Sequence, residues 1–169
     1  MAMEKVFVRF VCDNTVGKLA RLLRMAGFDT AYVVDNDVGR VIALCREEDR
    51  KIVSRNSRYA ELVLADNFYH VKVDNPEEQF CQVVIDLKLT LSTNHFLSRC
   101  LNCNRELEEI NKADIKEHVF PYVFKTQERF STCPNCNRIF WQATHARAIK
   151  EKLLKLKSAV DRRRQAAAD

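Results

Sequence analysis

The stretch that decides the fold is VFVRFVCDNTVGKLARLLRMAG, which runs from Val6 to Gly27. Its first part, Val6–Val11, is rich in β-branched and aromatic residues, and this pattern predicts a buried strand. Asp13 follows the strand directly. Leucines at three- and four-residue spacing then predict a helix, and Gly27 stands where a left-handed residue commonly ends one. The stretch therefore predicts a strand, an acid at its carboxyl end and a helix.

The predicted helix combines a polar start with a basic stripe. Asn14 or Thr15 can cap its first turn. Basic residues recur every three positions and so lie within about a third of the helix circumference; they are Lys18, Arg21 and Arg24. An acid beside a positively charged stripe suits a site that handles a metal ion and a phosphate.

Three further strand–helix repeats follow. The predicted strands are Ala31–Val34, Lys51–Ser54 and Phe68–Val73. Three helices are predicted. One begins at Val38, the second covers 57–65, and the third follows an Asn75 cap with Pro76 at its first helical position. Strands that alternate with helices through short connections predict an α/β fold with a parallel sheet and helices on its faces.

Polar residues stand at the carboxyl end of every predicted strand. They are Asp13, Asp35, Asp37, Asn56 and Asp74. Open parallel sheets bind ligands at this edge, which makes the group a candidate catalytic site. The alternative is that each residue only caps a helix. Because Asn14 and Thr15 are available as caps, the acid at position 13 favours a ligand role.

Composition narrows the function classes. The chain has 169 residues, 47% hydrophobic and 30% charged, as in globular proteins, and only three glycines, which excludes glycine-rich nucleotide loops. No apolar run is long enough to span a membrane and no signal peptide is recognisable, so we expect a cytoplasmic protein. Of 28 Lys and Arg and 23 Asp and Glu, residues 1–95 hold 13 and 14 (net −1) and residues 96–169 hold 15 and 9 (net +6).

The seven cysteines fall into two groups. Three are isolated within apolar patterns and are interpreted as small buried side chains; they are Cys12, Cys45 and Cys81. Four form two C-x-x-C pairs and predict one structural zinc site; they are Cys100, Cys103, Cys133 and Cys136. A redox pair is the alternative, but neither C-x-x-C motif opens a helix after a strand.

The two cysteine pairs lie in an internal repeat, C-x-N-C-N-R, separated by 29 residues. Strand-like segments at Val119–Phe124 and Ile139–Trp141 complete the prediction of a zinc ribbon. His118 and His145 are not needed as ligands, because four thiolates fill a structural zinc site. Phe130, Phe140 and Trp141 are assigned to the ribbon core ahead of base stacking.

A long basic helix is predicted over 144–164, with Ile149, Leu153, Leu156 and Val160 as its apolar stripe. This stripe can dock on the protein itself, on a partner or on a second copy, and the basic faces suit either solvent or phosphate. The predicted domains are 1–90 (the α/β unit), 96–145 (zinc ribbon) and 146–165 (C-terminal helix), with a linker at Leu91–His95.

Several motifs resemble those of the Mut-seven C-terminal ribonuclease family over about residues 6–145. They are the string from Cys12 to Thr30, the Asp35-x-Asp37 pair, the string from Asp74 to Gln79, Ser98-Arg99-Cys100-x-x-Cys103-Asn, Pro121-Tyr122-Val123, and Cys133-Pro-x-Cys136-x-Arg-x-x-Trp141.

The resemblance implies a PIN-like nuclease fold followed by a zinc ribbon. It also implies metal-dependent cleavage of RNA, with Mg²⁺ or Mn²⁺ held by Asp13, Asp35 and Asp37 and Asp74 at greater distance. Phosphates would be contacted by Lys18, Arg21, Arg24 and Arg55.

One position departs from the family pattern. The family usually has Thr-Arg-Asp after the third strand, and this chain has Ser54-Arg55-Asn56. An asparagine can ligate a hard cation through its carbonyl oxygen but brings no charge. Two alternatives to a nuclease therefore stay open: a catalytically weakened RNA-binding module, and a protein-interaction adaptor built on the zinc ribbon.

Overall fold

The structure is a computed structural model that describes residues 8–168. The chain forms two compact units within this range. Residues 8–23 and 28–90 make up the first unit, and residues 24–27 and 91–168 make up the second. The second unit therefore contains both the cysteine motifs and the long C-terminal helix, and the three-domain division remains a prediction.

The first unit contains one four-stranded sheet in which every neighbouring pair is parallel. Its strands are Arg9–Cys12 (β1), Thr30–Tyr32 (β2), Arg50–Ser54 (β3) and Phe68–His70 (β4), in the order β2-β1-β3-β4. Its helices are Val38–Glu47 (α2), Tyr59–Leu62 (α3), Pro76–Asp86 (α4) and most of Gly17–Met25 (α1), whose last two residues belong to the second unit. The predicted α/β class is confirmed, while Val6 and Phe7 of the first predicted strand lie outside the described residues.

The central strands carry the core because parallel sheets are covered on both faces. Val11 of β1 and Ile52 of β3 are fully buried. They cluster with Val33, Val41 and Cys45. Continuous apolar runs are what this double burial requires, and for that reason the strand positions were readable from the sequence.

One residue at each end of helix α1 defines where the helical segment begins and ends. Asp13, rather than Asn14 or Thr15, caps the 3-10 turn that leads into it, and its side chain accepts from the Thr15 N–H. At the other end, Gly27 has φ +96°, and an added Cβ would lie 2.5 Å from the carbonyl oxygen of His95. The predicted left-handed glycine is confirmed, and the predicted cap was wrong.

The other first-unit helices follow their caps. The side chain of Asn75 accepts from the N–H groups of Glu77 and Glu78, and Pro76 opens α4 as predicted. The helix predicted over 57–65 is shorter. It covers only Tyr59–Leu62, and a separate 3-10 turn follows at Ala65–Asn67.

The second unit contains an antiparallel sheet of Glu108–Ile110 (β5), Phe130–Thr132 (β6) and Ile139–Trp141 (β7). The predicted strand at Val119–Phe124 was wrong, because Pro121–Thr126 forms a short helix (α5). Pro121 occupies the first turn, where a missing N–H and a fixed φ favour a helix and override the β propensity of the neighbouring residues. The predicted linker is also structured: Leu91 is buried and Thr93–His95 forms a 3-10 turn.

The chain ends in a long helix, Thr144–Ala166 (α6). Leu153, Leu156 and Val160 are buried, which confirms most of the predicted stripe, and Ile149 is half-buried. Within residues 8–168 the structure contains no helix with the length and apolar character needed to cross a membrane.

Candidate functional site

The strand order places a topological switch point between β1 and β3. The chain passes from β1 to β2 on one side and then crosses to β3 on the other. Ligands of open parallel sheets bind in the crevice beyond the strand ends at such a point. The register pairs Cys12 with Val53, so the next residues, Asp13 and Ser54, come side by side at this crevice.

Asp13 is held rigidly there. Only 3% of the residue is exposed. One carboxylate oxygen accepts from the N–H and the hydroxyl of Thr15, at 3.1 and 2.5 Å. The other accepts from the hydroxyl of Ser54 at 2.6 Å. A buried carboxylate is tolerated only when hydrogen bonds replace its lost water, and these donors supply that compensation.

Tyr59 also lies at this carboxylate, and sequence reasoning missed it. The residue is 1% exposed and belongs to the core cluster of the sheet. Burial, the negative charge of Asp13 and a hydrogen bond to Asp13 together raise the pKa of Tyr59 to about 12. Ala60 and Leu64 of the same segment are exposed, so Tyr59 is its buried side chain. The signal available in the sequence was Tyr59 itself, the single aromatic residue between the third and fourth strands.

Asp35 and Asp37 follow β2 and are both exposed. One Asp37 oxygen accepts from the N–H of Arg40 at 2.9 Å and so caps α2. The charge of Asp37 also contributes to the raised pKa of Tyr59. Asp37 therefore acts as a cap and lies within electrostatic range of the Asp13 pocket.

The third strand end is built around Ser54. Its hydroxyl, which donates to Asp13, also accepts from the N–H of Asn56 at 2.9 Å. The side-chain oxygen of Asn56 accepts from the N–H of Arg58 at 3.1 Å. Asn56 is thus connected to Asp13 through the hydroxyl of Ser54. Its own side-chain oxygen is used in a local turn.

The remaining predicted residues are the four basic residues and Asp74, and they differ in exposure and contacts. Arg55 forms an ion pair with Asp74, which is largely exposed, so these two residues contact each other at the edge of the sheet. Lys18 and Arg21 are exposed. Arg24 is 9% exposed and donates to the carbonyls of Leu101 and Asn102 within the second unit, at 2.8 and 3.2 Å.

These bonds give Arg24 a structural role, and we leave it out of the RNA contacts. The expectation of one continuous basic stripe on α1 failed because the last turn of the helix is buried.

The second site consists of the four predicted cysteines. The sulfur atoms of Cys100, Cys103, Cys133 and Cys136 all lie within 4.8 Å of one another. Cys100 and Cys136 are 3.8 Å apart. A tetrahedral zinc ion with Zn–S bonds of about 2.3 Å requires sulfur atoms about 3.8 Å apart. The cluster therefore fits a metal such as zinc, and among residues 8–168 it is the one group of three or more Cys, His, Asp or Glu side chains so placed.

The internal repeat explains how each cysteine pair folds. The N–H of Cys100 donates to the carbonyl of Arg105, and the N–H of Asn104 donates back to the carbonyl of Cys100. The second hexamer repeats both bonds through Cys133, Asn137 and Arg138. Asn104 and Asn137 have φ values of +62° and +56°. Asparagine tolerates this left-handed conformation, which is why it follows the second cysteine in both copies.

The surroundings of the thiols shift their pKa values in opposite directions. Burial raises the pKa of Cys133, but N–H donors from Cys136 and Asn135 outweigh it and the pKa falls to about 7. For Cys136 the N–H of Arg138 lowers the pKa, while burial and the neighbouring sulfurs raise it to about 11. The three isolated cysteines are buried, as predicted.

The fold and these two sites define the class of protein: a parallel α/β unit with a buried acid at its switch point, joined to a unit that carries a four-cysteine site. The family model described as the Mut7-C RNAse domain matches residues 8–153, and the chain belongs to this family. This confirms the resemblance, and the family's description indicates a ribonuclease-like role. Comparison with curated proteins gave no match, and neither did comparison with solved structures.

Proposed function

We propose that the protein is a metal-dependent ribonuclease that hydrolyses phosphodiester bonds in RNA at the switch point of its parallel sheet. The observation that supports this most is Asp13. A carboxylate held by two hydroxyls and a backbone N–H in a nearly closed pocket is costly unless it has a function or a strong structural need. Its position beyond β1 is where ligands of such sheets bind.

In this proposal Mg²⁺ or Mn²⁺ binds at Asp13 and draws in the exposed carboxylates of Asp35 and Asp37, which the structure does not gather with it. Asn56 contributes a neutral oxygen. Carboxylate and amide oxygens are suitable ligands for both ions. The hydroxyls of Thr15 and Ser54 can rotate away and free lone pairs of the Asp13 carboxylate. When bound, the metal would lower the pKa of a water molecule and stabilise the leaving oxygen.

The protein's own contribution is orientation. Thr15, Ser54 and Tyr59 fix the direction in which the Asp13 carboxylate faces. Lys18 and Arg21 present positive charge on the exposed face of α1, the helix that follows this strand end, and Arg55 carries a charge already shared with Asp74. These cations would position the phosphates of the substrate.

Zinc in the cysteine site has a structural role in this proposal, since four thiolates leave no open coordination position. Free cysteines in this number suit a reducing compartment such as the cytoplasm.

The decisive experiment compares cleavage of labelled single-stranded RNA over a Mn²⁺ titration. We expect Asp13→Asn to reduce cleavage at least about a hundredfold, since a lost ligand to a catalytic metal removes several kcal/mol of transition-state stabilisation. Asp66→Asn, at an exposed acid of the same unit, is the matched control and should cleave normally. No Mn²⁺-dependent cleavage by the wild-type protein would contradict the proposal.

Asp37→Asn separates a metal ligand from a helix cap. Asparagine caps helices about as well as aspartate, so the fold should be unchanged. If Asp37 holds the metal, the Mn²⁺ concentration for half-maximal cleavage should rise; if it only caps α2, that concentration should stay the same.

A second function, RNA binding without efficient cleavage, is favoured by one observation. Asn56 stands where the family usually has an acid, and its oxygen is used in the turn with Arg58. Asn56→Asp adds one negative charge beside Ser54. Cleavage that appears only in this variant would support the binding module over the nuclease. Failure to bind or cleave RNA in either form would favour the protein-interaction adaptor.

A further inference from the structure

A cavity of about 400 Å³ lies wholly within the second unit. Its apolar lining includes Phe140, Trp141 and Ile149. Arg129 and Lys150 contribute positive charge to the same lining. Pockets of about 300–1,000 Å³ with apolar walls and a few charged groups are typical of sites for small organic ligands.

The three aromatic residues that the sequence assigned to the core are not equivalent. Phe130 is 3% exposed and is a core residue, as predicted. Its ring lies 6.5 Å from that of Trp141, so Trp141 is supported on that side. Trp141 and Phe140 are only half-buried and contribute to the cavity wall. They therefore offer ring surface to a ligand, which a purely structural core residue does not.

The charge of the lining favours an anion. Arg99 also lines the cavity, but its guanidinium already donates to Gly27, Asn104 and Glu106. Arg129 and Lys150 form no ion pair or side-chain hydrogen bond with any described residue. Glu109 is the one acid in the lining. Two uncompensated cations against one carboxylate leave a positive site beside aromatic rings.

The helix that forms part of the wall extends this charge. Beyond Lys150, α6 carries further basic residues: Lys152, Lys155, Lys157 and Arg162–Arg164. Lys157 and Arg164 are half-buried, and Lys157 pairs with Asp161. If one unit of a polyanion enters the cavity, its neighbouring units can contact the basic residues of α6. A neutral or acidic peptide would not gain from this arrangement.

We infer that this cavity binds one unpaired base of single-stranded RNA, stacked on Trp141 or Phe140, with the flanking phosphates paired to Arg129 and Lys150. Aromatic stacking combined with cationic contacts to the backbone is the general chemistry of single-strand binding. The choice of RNA rests on the proposed function, whereas the cavity and its charge do not involve the strand-end acids.

Trp141 supplies a direct reporter because it is the only tryptophan in the chain. The test uses the full chain with its zinc retained and with Mg²⁺ and Mn²⁺ omitted. A single-stranded RNA of about ten nucleotides should quench Trp141 fluorescence saturably. Inorganic polyphosphate of equal charge should cause no quenching. Absence of quenching by RNA, or equal quenching by polyphosphate, would overturn the inference.

Two matched pairs of variants locate the site. Ala146→Phe fills the cavity and should weaken RNA binding about fivefold or more, since stacking of one base accounts for at least that factor. Ala148→Phe, on the same helix and outside the lining, should bind like the wild type.

Lys150→Ala should weaken binding more than Lys155→Ala at the same salt concentration, because both remove one charge but only Lys150 lines the cavity. Equal effects within each pair would show non-specific polyanion binding and contradict the inference. Zinc content confirms that each variant is folded.

The two proposals fail separately. RNA that quenches Trp141 but is never cleaved contradicts the nuclease and leaves the base site intact. RNA that is cleaved without quenching contradicts the base site and leaves the nuclease intact.

Discussion

The two candidate metal sites of this protein are assembled in different ways. The four-cysteine site comes from two copies of one hexamer, and each copy folds through its own backbone bonds between Cys100 and Arg105 or Cys133 and Arg138. The strand-end site joins Asp13 to Ser54 and Tyr59, more than forty positions away along the chain, through the parallel register of β1 and β3.

Because the two sites are assembled differently, different changes should destabilise them. A local motif carries its geometry with it, so its stability would depend on a metal that joins the two copies. A site made by sheet register depends instead on the hydrophobic core beneath it and on each buried hydrogen bond. The predictions below test this contrast by damaging one region at a time.

The largest effect is expected from Cys133→Ser. Structural zinc contributes about 10 kcal/mol or more to the folding of small zinc units, so loss of one thiolate should unfold the ribbon. We expect metal content to fall from about one zinc per chain, with a shift in Trp141 emission.

Cys45→Ala is the control for that experiment, since Cys45 is buried in the first unit and lies outside the cluster. It should keep its zinc. A Cys133→Ser protein that retained a full equivalent of zinc would show that the fourth ligand comes from elsewhere.

A smaller effect is expected from Asp13→Ala, which leaves the donors of Thr15, Ser54 and Tyr59 without their acceptor. Breaking a buried charged network costs about 3–5 kcal/mol. Asp37→Ala removes only an exposed cap and should cost about 1 kcal/mol. Hydrogen exchange of β1 and β3 amides measures both losses of stability. Trp141 fluorescence does not report on them, because Trp141 lies in the other unit. Equal losses would mean that Asp13 is no more than a cap.

An effect smaller than that of Asp13→Ala is expected from Tyr59→Phe, which keeps the ring and removes one hydrogen bond, at a cost of about 1.5 kcal/mol. This variant also carries a pH signature. The pKa of Tyr59 is about 12 in the folded protein against 10.0 in its ordinary state, so the unfolded chain releases this proton first. Stability should therefore fall as pH rises from about 10 to about 12.

The measurement is the difference in hydrogen exchange between wild type and Tyr59→Phe across that pH range. The wild-type advantage should decrease with pH. A difference that stays constant from pH 9 to 12 would mean that Tyr59 is not linked to Asp13.

How much was predictable differs between the two sites. The cysteine cluster followed from spacing alone, because thiolates in C-x-x-C pairs have few other uses in a reducing environment. The position of Asp13 at a strand end was also readable, since a run of β-branched and aromatic residues precedes it. Its bonding was not. Neither Asn14 nor Thr15 is the cap that was predicted, because Asp13 caps the first turn and Thr15 donates to its carboxylate.

Two further misses have local causes. Val119–Phe124 looked like a strand because of its apolar and aromatic residues, but Pro121 favours the first turn of a helix. Arg24 matched a surface stripe by spacing, yet the last turn of α1 is buried and its guanidinium donates to backbone carbonyls. Periodicity alone cannot separate an exposed face from one covered by a distant segment.

Residues close together in the chain were enough to predict the alternation of strands and helices, the two pairs of clustered thiols and the acids at the strand ends. Only the tertiary structure decided which of those acids is buried, that Tyr59 joins Asp13, and that Trp141 lines a cavity rather than filling a core. These features depend on register and packing between distant segments, and single-chain periodicity carries no information about either.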